Sequence, residues 1–182
     1  MNPNDPLDNM GGFGGDTAEI RPTPDEIDFP HPLVSQRSEE DLGEYGMNII
    51  EDYRDFKLQL LSWLHAYGKD PEKSNGLAMT TLESTHYKLE TAFRWLWKTE
   101  EKYTKEFTPT HADDFIEGLV HSPSMIESTV HHHAKDIKRL FKFSNHVHGK
   151  NYDWSPEIEL SQSGTGDERQ YLRRDAFKPL YE

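Results

Sequence analysis

Cysteine is absent from the sequence, which excludes disulfides, thiolate metal ligands and thiol nucleophiles together. Long apolar runs are missing as well. None approaches the ~18–20 residues of a membrane span, and the first residues lack the basic-then-apolar order of a signal peptide. Hydrophobic residues make up only 34% of the 182, against roughly 45–50% in globular domains when glycine is counted, so much of the chain is expected outside any core. Positive charge is scarce: 20 Lys and Arg stand against 33 Asp and Glu, a formal net charge of −13. These absences predict a soluble cytoplasmic protein with no membrane partner. The acidic excess fits adaptation to a salty, halophilic cytoplasm and is a poor starting point for nucleic-acid binding. Patterns for enzyme chemistry are missing too. No G-x-S-x-G occurs, and the glycine-rich residues 11–15 lack the Lys-Ser/Thr ending of a phosphate loop.

The scarcity of positive charge is local. Residues 1–75 hold 16 acidic and 6 basic side chains, whereas residues 76–155 hold 11 and 10 with eight of the ten histidines. Residues 1–45 are rich in Gly, Pro, Asp and Glu without sustained periodicity, so they are expected to form a disordered acidic tail. Phe13, Phe29 and Leu33 are assigned no role there. A helical pattern then runs over residues 47–67, with Ile49, Ile50, Tyr53, Phe56, Leu60, Trp63 and Leu64 recurring at three and four and Gly68 as a stop. A second helix is predicted from Thr80 or Thr81, as N-cap, to about residue 98. Leu82, His86, Leu89, Phe93 and Leu96 form its buried seam. Thr80, Ser84, Lys88, Thr91, Trp95 and Lys98 lie on or beside its outer face. A short helix over residues 110–120 is predicted from a capping box between Thr110 and Asp113.

The most informative stretch is residues 123–148. At helical pitch Ile126, Val130, His133, Ala134, Ile137, Leu140, Phe141 and Ser144 form a core-facing stripe. The opposite side presents Ser128, His132, Lys135, Arg139, Lys142 and His146, with Glu127 and Asp136 on the flanks. A cationic ridge on an acidic chain suits a polyanion such as nucleic acid, although a plainly solvated helix face has the same pattern. The run His131-His132-His133 does not read as a metal site, because consecutive helical side chains diverge by about 100°. No cofactor is implied.

Four pieces in order carry a family resemblance: a helix opened by Thr81-Leu82 and ending FRWLW, a polar turn, the short helix THADDFIEGL, and the long helix SMIESTVHHHAKDIKRLFKF. This order resembles the N-terminal core-binding (SAM-like) domain of tyrosine recombinases, the phage-integrase family. The wording is nearest to haloarchaeal integrases, and the ending YLRRDAFKPLYE resembles the start of their catalytic domain. The resemblance implies an all-α four-helix bundle at residues 46–150 that clamps double-stranded DNA, a linker at 151–169 and a truncated second domain from 170. It carries DNA contact over to Thr80, Thr81, Ser84 and Lys88 on one helix and to Ser128, His132, Lys135, Arg139 and Lys142 on another. Self-association on inverted half-sites is a further expectation. Catalysis is not implied, since the family's H-x-x-R box occurs nowhere here and Tyr171 and Tyr181 precede any catalytic core. The competing expectation is a helical interaction module whose ridge receives an acidic protein or the chain's own N-terminal tail.

Overall fold

The computed structural model describes residues 23–156. Among these the fold is all-α, with five helices rather than four: α1 (Gln36–Gly43), α2 (Met47–Tyr67), α3 (Met79–Glu100), α4 (Pro109–Val120) and α5 (Glu127–His148). The extra helix lies inside the segment expected to be disordered. Ser35 caps it by accepting from the Ser38 N–H at 3.2 Å, and Val34, Ser38 and Leu42, spaced by four, turn one side inward to full burial. Its eight residues are too short and too acidic to declare themselves by periodicity; tertiary partners hold them. Residues 1–22 of the predicted tail, Phe13 among them, and residues 157–182, with the predicted second domain, lie outside the described residues.

Helix starts differ from expectation in instructive ways. Ala78, not Thr80 or Thr81, is the N-cap of α3, with no side-chain cap bond. Thr108 caps α4 in a reciprocal box with His111, and Pro109 takes the first helical position, where its missing N–H costs nothing. The predicted partner Asp113 is used otherwise: it accepts from Trp154 Nε1 at 2.9 Å. The α5 helix starts at Glu127, four residues later than predicted, so Ile126 is its N-cap and is 65% exposed instead of joining the core stripe.

The core is aromatic. Tyr53 meets Trp97 edge-on at 4.8 Å, Phe56 meets both Phe93 and Phe143, and Phe107 bridges Phe93 to Phe141. Edge-to-face geometry sets the positive ring edge against the negative face. Trp97 is buried. Trp95, placed on the outer face by the sequence, is half-buried against Phe107 and Phe115 because α4 covers that end of α3. Tyr152 and Trp154 fold back over Phe141, so the bundle continues past residue 150.

At the other end, residues 27–35 form an extended strap across α2 and α3. Ile27 donates to Ser62 Oγ, Phe29 meets the buried His86 ring at 5.0 Å, and His31 lies 3.4 Å from Glu83. The strap ends on Glu90, which accepts from the Ser35 N–H, Ser38 Oγ and Tyr53 Oη and pairs with Lys57 at 3.3 Å. Burial raises the Glu90 carboxyl, but Lys57 and these three donors outweigh it and hold the pKa at about 2.

Candidate nucleic-acid interface

Two helices frame the site. α3 and α5 run antiparallel, since Thr85 meets Asp136 and Arg139 while Lys142, further along α5, reaches back to the Lys69 carbonyl just ahead of α3. At their junction sits Asp136, 3% exposed. Its Oδ1 accepts from Thr85 Oγ1 at 2.9 Å and from Arg139 Nη1 at 2.6 Å; its Oδ2 lies 3.8 Å from Lys88 Nζ. Arg139 also donates to Thr85 Oγ1, and Lys88 to Ser84 Oγ.

This cluster revises the sequence reading in one important respect. Asp136, a flanking residue on the helical wheel, is the counter-charge of both Lys88 and Arg139, so neither is a fully free cation. Close packing forces the choice, because a carboxylate without partners at that depth would be strongly disfavoured. Ser84, Lys88 and Arg139 are thereby brought together. Among the described residues no hydrogen bond or ion pair joins Thr80, Thr81, Ser128, His132 or Lys135 to that cluster. Thr80, Ser84, Ser128, His132, Lys135 and Lys142 are exposed; Thr81, Lys88 and Arg139 are half-buried.

The remaining outer face of α5 keeps its expected character. Lys135, Lys138 and Lys142 follow at three and four residues, within one 60° sector of the helix, all exposed. Lys135 and Lys138 make no ion pair among the described residues, and Lys142 donates only to a backbone carbonyl. Glu127, at the first residue, is the only exposed carboxylate of α5. Lys138 was missed from sequence because the wheel put it at the margin of the ridge, yet its spacing between Lys135 and Lys142 was a usable signal. Thr85 was missed because it lies between the seam and the outer face.

The histidines divide by depth. His131 and His132 are exposed, while His133 is buried against the Phe115 ring at 5.7 Å. Burial and the neighbouring Lys88 lower the His133 pKa, with Asp136 opposing them. His86 is fully buried, with neither ring nitrogen in a well-formed hydrogen bond among the described residues. No helix among the described residues is long and apolar enough to cross a membrane. No protein-family model, no curated protein and no solved structure matches the chain.

Proposed function

We propose that this chain is a duplex-DNA-binding module of the tyrosine recombinase core-binding type, gripping phosphates through α5 with the N-terminal half of α3 alongside and cutting nothing itself. The supporting observation is the exposed side of α5: three unpaired lysines over two turns, with no exposed carboxylate beyond Glu127, in a protein of net charge −13. Lys135, Lys138 and Lys142 neutralise phosphates, while Thr80, Thr81, Ser84, Ser128 and His132 donate to phosphate oxygens or base edges. Lys88 and Arg139 act chiefly by holding the two helices in register through Asp136. The described part of the acidic N-terminal segment lies on α2 and α3, through Ser62, His86 and Glu90, and leaves the lysine face open.

With three lysines engaged, log K should fall against log salt with a slope of about −2 to −3, since each neutralised phosphate contributes ~0.9. The experiment is duplex binding from low to moderate salt by the full chain and by Lys135→Glu and Lys138→Glu. Each reversal should weaken binding about tenfold or more and flatten the slope, with the melting temperature unchanged. Affinity equal to that of the unaltered protein in both variants rejects this face as the DNA surface.

A further inference from the structure

A cleft of about 620 Å³ opens between α2, the α3–α4 connection and the C-terminal end of α5. It faces away from the lysines. Ser144 and His148, which line it, follow Lys142 by two and six residues and so lie ~160° and ~120° from it around α5 at ~100° per residue. Its size is that of a small-molecule site, roughly 300–1,000 Å³, and Phe56, Phe107 and Tyr152 give it a ring-lined floor.

The polar rim decides what the cleft suits. Asp52 is taken by Lys105 at 3.0 Å and by the Tyr103 hydroxyl at 2.7 Å; Glu106 is taken by Lys150 at 3.3 Å. Those two ion pairs cancel. Burial, then Lys105 and Lys150, lowers the His148 pKa. Asp55 is left over: it lines the cleft, is exposed, and has no hydrogen bond or ion pair among the described residues. A single uncompensated carboxylate beside three rings complements a positive charge carried on a flat apolar body.

We propose that this cleft binds a small organic cation of the arylalkylamine class, its ring on Phe56, Phe107 and Tyr152 and its ammonium on Asp55. The site is separate from the lysine face and does not rest on duplex binding. The opposite chemistry, an aromatic carboxylate, meets the same rings but is repelled by Asp55.

The test titrates the full chain with 2-phenylethylamine and, separately, with phenylacetate, following cleft resonances by NMR. The amine should saturate the shifts of Phe107 and Tyr152 and bind at least tenfold tighter than the acid. Asp55→Asn, an exposed and near-isosteric change, should remove that preference while leaving the fold intact. Three results overturn the proposal: no saturable response to the amine, a preference unchanged in Asp55→Asn, or cleft shifts that respond only to removal of residues 157–182, which would make that segment the occupant.

Discussion

Glu90 is the residue on which the most separate parts of the chain depend. It receives the strap through the Ser35 N–H, α1 through Ser38, and α2 through Tyr53 and Lys57. Burial lowers the Lys57 pKa, and Glu90 opposes that shift. Removing one member strands the other, so Glu90→Gln should destabilise the fold by about 3–5 kcal/mol in urea unfolding, and Lys57→Met with Glu90→Gln should recover much of the loss. Acid acts on the same region. Burial, then the nearby Lys57, lowers His86 from 6.5 to about 3, and Glu90 is lowered from 4.5 to about 2. Between the folded and unfolded values the unfolded chain binds more protons, so stability rises with pH there. The contribution is complete above about pH 6.5 and is lost first through His86, then also through Glu90 below about 4.5. Melting temperatures should therefore fall from pH 6.5 downwards, and His86→Leu should flatten the upper part of that fall while leaving the part below 4.5.

At the scale of the elements, α3 and α5 are joined by a polar clasp on the side where the proposed interface lies. Asp136→Asn makes opposite predictions for stability and binding. It weakens the hydrogen bonds from Thr85 and Arg139 and should lower stability by about 1–3 kcal/mol. It also releases Lys88 and Arg139 from their counter-charge, so duplex affinity should rise and the salt slope steepen. Unchanged or weaker binding in a folded Asp136→Asn protein would count against the α3–α5 face. The α2–α3 connection is equally constrained. A Cβ at Gly76 would come within 1.4 Å of the His65 carbonyl oxygen, so Gly76→Ala must displace backbone and should cost several times the ~1 kcal/mol typical of point changes.

Across the whole molecule, the bundle is closed by both of its extended segments. The strap contributes buried Val34 and half-buried Ile27, Phe29 and Leu33 to the core, and the segment after α5 contributes Trp154. A chain beginning at Gln36 loses Ile27, Phe29, Leu33 and Val34 and the Ser35 donor to Glu90. It should melt well below a chain beginning at Thr23. Equal melting of the two would mean that the strap adds nothing.

The sequence by itself determined the class and the long helices. Spacing at three and four places α2, α3 and α5 close to where they lie, with Gly68 and Gly149 as stops, because an amphipathic rod writes its buried face into a 3.6-residue period. It also determined that the ridge on α5 is basic. Tertiary structure alone decided three things. A short acidic helix at Gln36–Gly43 forms because Glu90 and the core satisfy it, a condition no local pattern reports. Asp113, the expected cap partner of Thr110, instead accepts from Trp154 Nε1, because the segment after α5 folds back over the bundle. Asp136 is also matched by Lys88 because antiparallel packing delivers that residue from α3 to its flank, whereas Arg139 is its own-helix neighbour three residues on; one helix viewed alone shows which side is wet, not which charges its neighbour has already matched.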